Sequence, residues 1–189
     1  GGVNKRYGDE ITFLFLALKA HNLQAIDTLL AAGADPYMVD HPPSGSERNF
    51  VYYLTLPGPS TGPVQGFDFE NRMIQSYLKH GGKANVQLLG DGGEWLIEQV
   101  ALNENYEGVK ILLEAGADPW AEDDSGDTAM VKVARKYNKN AVRFLNYLIE
   151  QGTFKDVELP RLQSFMRSLA GYEQRGDAIS LANQQIALR

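Results

Sequence analysis

Apolar residues recur along most of this chain at the three- and four-residue intervals of helices that bury one face. They come in pairs: a stretch such as 12–18 is followed, after a short polar break, by a second stretch that ends at a glycine. Glycine readily adopts the left-handed backbone that ends many helices, so the pattern predicts helical hairpins closed by glycine. The closing glycines are Gly33, Gly82, Gly116 and Gly152.

The hairpins also repeat in sequence. The run LLAAGADP at 29–36 returns as LLEAGADP at 112–119, and weaker copies are YLKHGGKA at 77–84 and YLIEQG at 147–152. Two helices and a Gly-Ala-Asp turn in each period of roughly 33 residues resemble the ankyrin repeat. The resemblance implies an all-α, ankyrin-type helical solenoid of about four repeats, closed by C-terminal capping helices.

Several signature positions of the family are altered here. Its Thr-Pro-Leu-His start survives only as Thr12 and Thr128, and its histidine position holds Phe15, Glu98 and Val131. In the family this histidine supports hydrogen bonds between repeats. Those bonds are therefore not expected in the same form in this chain.

The second and fourth copies are irregular. Copy two carries an inserted loop, PGPSTGP at 57–63, whose prolines and glycines exclude helix and central strand. The stretch 50–56 before it suits a strand by its β-branched and aromatic content, although the repeat context favours a helix, followed by another at 69–79. Copy four contains three extra residues near 137–139.

The repeat pattern is lost after Gly152, where apolar residues at helical spacing predict a capping helix that ends near Gly171. A further short helix is possible from Asp177. We therefore divide the chain into an ankyrin-like array at 1–157 and a helical cap at 158–189. The apolar residues of the capping helix are Leu159, Leu162, Phe165, Met166 and Leu169.

Composition removes several classes of function. The 189 residues include no cysteine, which excludes disulfides, cysteine-held zinc and a thiol nucleophile. No apolar run approaches the length that crosses a bilayer, and the net charge of −6 does not favour nucleic acid. The compartment stays open. The bacterial periplasm is slightly favoured over the cytoplasm, on the assumption that a leader has been removed.

One motif resembles a catalytic one. GPSTG at 58–62 matches the G-x-S-x-G pattern of a nucleophile elbow, and Asp68 and His80 follow in hydrolase order. The motif requires a helix directly after the serine, which Pro63 and Gly66 prevent, and the chain lacks the βα units of a hydrolase. A surface loop is the preferred interpretation, and the chain is not expected to be an enzyme.

Metal and cofactor sites are not predicted either. Five acidic residues within ten positions could suggest calcium, but their spacing does not follow the EF-hand order. Asp123 with Gly126 instead fits an ankyrin turn, and Asp127 is placed to cap the next helix. The histidines, His21, His41 and His80, lack the spacing of a zinc motif. The five acidic residues are Asp118, Glu122, Asp123, Asp124 and Asp127.

A basic run follows the acidic one, and helical spacing places Lys132, Lys136 and Lys139 on one face. A solvated helix face is the preferred interpretation, a charged docking patch for a protein is the next, and nucleic-acid binding has little support. The run consists of Lys132, Arg135, Lys136, Lys139 and Arg143.

The resemblance implies a partner surface on the concave side of the array, formed by loops and by the exposed sides of each first helix. Tyr37 and Trp120 occupy the same repeat position after Gly-Ala-Asp-Pro, where they are either interface anchors or packed against the neighbouring loops. The candidate partner-binding residues are Lys19, Tyr37, Met38, Gln99, Asn103, Trp120, Glu122, Asp124, Lys132 and Lys136.

The resemblance also implies a function. The short array and eroded signatures are similar to those of small bacterial ankyrin proteins, some of which neutralise a toxin or effector. The most specific expectation is therefore an inhibitor or immunity-type protein, monomeric when free, that binds a protein partner. The alternative is a structural or adaptor scaffold that bridges two proteins at the bacterial cell envelope.

Overall fold

The computed structural model describes residues 2–8, 11–41, 47–56, 66–89, 92–135, 146–155 and 157–169. These residues are rich in helix, as predicted. Strands β1 (Arg6–Tyr7) and β2 (Ile11–Thr12) form a small antiparallel hairpin. The helices are α1 (Phe13–Lys19), α2 (Leu23–Ala31), α3 (Phe50–Tyr53), α4 (Asp68–Lys79), α5 (Leu96–Leu102), α6 (Tyr106–Glu114), α7 (Ala129–Arg135), α8 (described over 146–150) and α9 (Leu159–Leu169).

Successive repeats stack helix on helix. The second helices form one row, in which α2 packs on α4 and α4 on α6. In the row of first helices α5 packs on α7, and α9 then packs on α7. Fully buried aliphatic side chains fill the space between the rows, and each stabilises the fold by about 1.5–3 kcal/mol. They include Ile26, Val51, Leu54, Ile74, Leu96, Leu112 and Met130.

The connection between the two helices is built alike in repeats one and three. Asn22 accepts a hydrogen bond from the backbone of Ala25 at the start of α2, and Asn105 does the same at the start of α6. The residues just before, His21 and Glu104, have positive φ values of 49° and 61°. Such backbone is uncommon outside glycine, so its recurrence identifies matched positions in the two repeats.

Three of the predicted closing glycines adopt left-handed backbone. Gly33, Gly116 and Gly152 have φ values of 84°, 87° and 78°. In repeat two the residue in this conformation is Gly81, with φ 89°, and not Gly82 as predicted. A Cβ atom at Gly82 would lie 2.4 Å from the ring of Tyr77, so Gly82 serves close packing instead.

The two irregular segments are settled in part. Of the segment 50–56, residues 50–53 form helix α3, at whose start the Asn49 side chain accepts a hydrogen bond from Tyr52 N–H, and residues 54–56 form a turn and not a strand. Most of the inserted loop, the extra residues at 137–139 and the predicted helix from Asp177 lie outside the described residues. The predicted capping helix corresponds to α9, although the boundary between 157 and 158 stays a prediction.

Within the described ranges, the helices are too short or too polar to cross a membrane.

Candidate functional site

Before three of the first helices, described residues at the two ends of a loop pair through a β-bridge, and we call these loops fingers. Finger one (36–49) is closed by the bridge Asp40–Arg48, finger two (84–95) by Gln87–Trp95 and finger three (119–128) by Glu122–Thr128. The fingers lead into α3, α5 and α7. We call the fingers together with the exposed sides of the first helices the finger face.

Finger three is held by one aspartate. The Asp123 carboxylate accepts hydrogen bonds from the backbone of Ser125 and Asp127, both at 2.9 Å, while Gly126 takes left-handed backbone with φ 77°. The predicted turn at Asp123 and Gly126 is therefore confirmed. The helix cap is different: the Thr128 hydroxyl accepts from Val131 N–H, whereas Asp127 forms an ion pair with Arg135.

Lys132 does not lie on a solvated face or in a docking patch, which corrects both interpretations of that residue. Its ammonium lies 2.6 Å from Glu98 Oε1 and 2.5 Å from Asp123 Oδ2. The side chains of Glu98 and Asp123 are 0% and 1% exposed. The long lysine side chain reaches inward because two buried carboxylates would otherwise lack a counter-charge.

The two carboxylates respond to this setting in opposite ways. Burial raises the pKa of Glu98, and the Lys132 bond only partly offsets it. Burial also acts to raise the pKa of Asp123, but hydrogen bonds from Lys132 and Ser125 outweigh it and lower this pKa to about 2. Asp123 is therefore firmly ionised at neutral pH.

Glu98 occupies the position of the family's histidine, and its ion pair joins α5 to α7 of the next repeat. A link between repeats is thus present at this position as an ion pair and not as the family's histidine bonds. Together with the Arg135–Asp127 pair, it neutralises the described part of the basic run within the fold. Lys136, Lys139 and Arg143 lie outside the described residues.

Trp120 packs inside the protein, so its assignment as a partner-binding residue is corrected. It is 4% exposed, and its indole N–H donates to the Thr153 carbonyl at 2.6 Å. Its ring meets those of Phe154 and Phe165 edge to face, with centroids 5.1 and 5.6 Å apart. The aromatic cluster holds finger three against the last repeat and α9, which is the packing alternative considered above.

Tyr37, at the matched position of repeat one, is 36% exposed. Its hydroxyl lies 2.9 Å from that of Tyr77 and accepts a hydrogen bond from Lys83 N–H. Burial, followed by the bond to Tyr37, raises the pKa of Tyr77, so this hydroxyl stays protonated. The Tyr37 hydroxyl thus links repeats one and two, while the residue stays partly exposed. Met38 beside it is half-buried.

The remaining candidates differ in exposure. Lys19 is exposed on α1, whereas Gln99 and Asn103 are half-buried. The Asn103 amide donates to the Thr55 carbonyl at 2.6 Å, so it joins repeats two and three. Glu122 and Asp124 are exposed at the tip of finger three.

The tip of finger three is anchored by finger two. The Trp95 indole donates to the backbone carbonyl of Glu122 at 2.9 Å, and the Asp124 carboxyl lies against Gly93, where a Cβ atom would meet it at 2.4 Å. The backbone carrying Glu122 and Asp124 is thereby held in place. Over the described residues, neither carboxylate has an assigned ion pair.

Sequence reasoning missed several exposed apolar side chains, of which Tyr7, Phe13 and Leu16 belong to the first repeat and are 65%, 40% and 36% exposed. Phe13 and Leu16 belong to the apolar helical stretch at 12–18, which predicts buried side chains. Their place in the chain could have identified them. They belong to the β-hairpin and first helix of the first repeat, which has no earlier repeat among the described residues to cover it.

The resemblance to a hydrolase is not supported by the geometry of α4. Asp68 begins this helix and His80 caps its end, so a rise of 1.5 Å per residue separates them by about 18 Å. His80 Nε2 instead lies 2.9 Å from Asp27 Oδ1. Ser60 lies outside the described residues. The described side chains also include no group of three acidic or histidine residues arranged to hold a metal ion.

Comparisons with known proteins bear on the fold. No protein-family profile matches the chain, and no curated protein does. Among solved structures, an ankyrin repeat domain from Acinetobacter baumannii AYE is similar, with a TM-score of 0.64 and 20% identity, covering 96% of this chain and 86% of that one.

The Legionella pneumophila effector AnkC is also similar, with a TM-score of 0.63 and 17% identity over 98% of this chain. The match spans 64% of that protein's length. With the repeated hairpins, closing glycines and fingers described above, these likenesses establish that the chain has the ankyrin-repeat fold.

Proposed function

We propose that this chain is a non-catalytic protein-binding module that contacts its partner through the finger face. The observation that carries the proposal is the pair of exposed carboxylates, Glu122 and Asp124, on a finger anchored by the Trp95 indole of finger two. The described cations of α7, Lys132 and Arg135, pair with carboxylates of the fold, and Arg161 of α9 lies 3.7 Å from Asp118. The tip of finger three therefore presents negative charge outward, which suits a basic patch on a partner.

The expected contributions of the face follow from exposure. Exposed charge pairs at the edge of an interface add little affinity but raise the association rate and set specificity. Affinity comes mainly from a few aromatic or arginine anchors in desolvated pockets. Tyr37 is the predicted residue that suits this role, because part of its ring is exposed while its hydroxyl is fixed.

In its specific form, the proposal is that the chain is an inhibitor or immunity-type protein that neutralises an enzyme or effector. An inhibitor occupies its partner one to one and blocks its activity. The alternative is a structural or adaptor scaffold at the bacterial cell envelope, which would leave its partner active and bind a second protein at a separate surface. The consequence for the partner's activity therefore distinguishes the two forms.

The test is charge reversal on the finger face. After a partner is captured with the wild-type chain, its association rate is measured by surface plasmon resonance for a Glu122→Lys/Asp124→Lys variant. Glu107→Lys/Glu114→Lys is the matched control, since both residues are exposed on α6 and carry the same charge. We expect the finger variant to slow association at least about 10-fold at low salt, with the control close to wild type.

Equal effects of the two variants would reject the finger face. Binding without loss of the partner's activity, together with a second bound protein, would reject the inhibitor and favour the adaptor. A catalytic activity of the chain would reject a purely binding role.

A further inference from the structure

The first repeat exposes apolar surface that the later repeats bury. Thr12, Trp95 and Thr128 each stand directly before a first helix, so Phe13 matches Leu96 and Ala129. Phe13 is 40% exposed, whereas Leu96 and Ala129 are 0% and 2% exposed. The same repeat position is therefore buried in the later repeats and exposed to solvent in the first repeat.

The matched positions show which way this surface faces. Leu16 matches Lys132, and Lys132 reaches back to Glu98 in the preceding repeat. On the second helices, Ala25 matches Gly108. A Cβ atom at Gly108 would lie 2.9 Å from Asn71 in the preceding repeat. Leu16 and Ala25 thus lie on the side of repeat one where a preceding repeat would stack.

The chain before β1 already has the form of a connection between repeats. Asn4 donates from its amide to the Gly33 carbonyl at 3.1 Å and accepts from Asp35 N–H at 2.7 Å. Asn85, in the turn that leads out of repeat two, makes the same pair of bonds to Gly116 and Asp118 at 2.9 and 2.7 Å. Residues 2–8 are therefore held where the end of a preceding hairpin would deliver them.

The opposite edge of the stack is different. There α9 packs on α7 and buries Leu162 and Phe165, which are 0% and 1% exposed. Repeat arrays need such covers, because each repeat otherwise leaves an apolar side open to water. One edge of this array carries a cover among the described residues, and the edge formed by α1 and α2 does not.

We propose that this edge, which we call the N-terminal edge, docks a partner helical hairpin stacked in repeat register on α1 and α2. The hairpin presents an apolar side to Phe13 and Leu16 and ends where the turn held by Asn4 begins. A second copy of the chain is the rival occupant. Two identical edges would pair about a two-fold axis. Such a pair would not use the repeat register that the hydrogen bonds of Asn4 set.

The proposal can be tested with the full chain. A single repeat does not fold alone, so the probe is a tethered hairpin: residues 92–116 of the third repeat fused ahead of Gly1 of the complete chain. In this fusion Gly116 precedes Gly1 as Gly81 precedes Gly82, so Asn4 keeps the register of Asn85. The measurements are the melting temperature and the hydrogen exchange of the α1 amides, for the fusion and for the parent chain.

We expect the fusion to melt several degrees above the parent and to slow exchange throughout α1. Phe13→Lys should leave the parent's melting temperature nearly unchanged and should remove most of the gain of the fusion. Leu159→Lys is the control, because Leu159 is 51% exposed on α9, and it should preserve the gain.

Three results would overturn the proposal. The fusion could melt with the parent and exchange its α1 amides equally fast. Phe13→Lys could lower both melting temperatures equally, which would make Phe13 an ordinary structural residue of repeat one. Light scattering could show that the parent is a dimer that Phe13→Lys dissociates, which would make a second copy the occupant.

Discussion

The Lys132 ammonium bonds to Glu98 of the preceding repeat at 2.6 Å, although sequence spacing places the lysine on an outward basic face. It bonds at the same time to Asp123 of finger three. One cation therefore ties together two first helices and the finger between them. This arrangement explains why an acidic run stands directly before a basic one: part of each serves the fold.

Removing the cation should destabilise the array. Lys132→Met leaves two buried carboxylates without their counter-charge, and breaking one partner of a buried ion pair costs about 3–5 kcal/mol. We expect the free energy of unfolding, measured by urea denaturation, to fall by about 3 kcal/mol. The control Lys19→Met changes an exposed lysine on α1 and should lie within about 0.5 kcal/mol of wild type. A loss of less than 1 kcal/mol for Lys132→Met would contradict the role given to the pair.

Acid should weaken the fold through Asp123. Its pKa is lowered from the ordinary 3.8 to about 2 in the folded chain, so its stabilisation is present above pH 4 and is lost as pH falls toward 2. Hydrogen bonds from Ser76 and His80 lower the pKa of Asp27 to about 2 as well, which adds to the same fall. Glu98 acts oppositely, because its raised pKa favours the folded state when the group is protonated.

The contribution of Asp123 can be isolated with Asp123→Asn, which keeps an oxygen for the turn and removes the charge. Melting temperatures measured between pH 5 and pH 2 should fall less steeply for this variant than for wild type. Parallel curves for the two proteins would show that Asp123 is not linked to acid unfolding.

The matched aromatic residues should differ in their effect on stability. Trp120→Ala empties a closed aromatic cluster and should cost about 3–5 kcal/mol in thermal or chemical unfolding. Tyr37→Ala should cost about 1–2 kcal/mol, because much of its ring is already in water and its hydrogen bonds are partly replaced by solvent. Equal losses in the free energy of unfolding for the two variants would show that the difference in exposure between Trp120 and Tyr37 does not determine their contributions to stability.

Much of the fold was open to prediction from sequence, because stacked repeats are held by short-range patterns. Glycines at helix ends and helix-spaced apolar residues identify the hairpins without knowledge of long-range contacts. The error at Gly82 is of another kind. Two adjacent glycines both permit left-handed backbone, and only the approach of the Tyr77 ring shows why the second is glycine.

The candidate site was less predictable, because the exposure of a side chain depends on residues distant in sequence, which local sequence patterns do not identify. Trp120 and Tyr37 share a repeat position, yet only Trp120 meets Phe154 and Phe165 in the following elements. Lys132 likewise has its partners in α5 and finger three, outside its own helix. Glu122 and Asp124 were assigned to the partner surface and are exposed, since turn residues need few long-range contacts. Their contact with a partner stays a prediction.

The central claim is that the partner binds the finger face, and hydrogen exchange of the complex tests it most directly. The account predicts slower exchange on binding at the tip of finger three, residues 122–126, and around Tyr37 in finger one, with α4 and α6 unchanged. Protection confined to the outer helices α2, α4 and α6, with finger three exchanging as in the free chain, would contradict it.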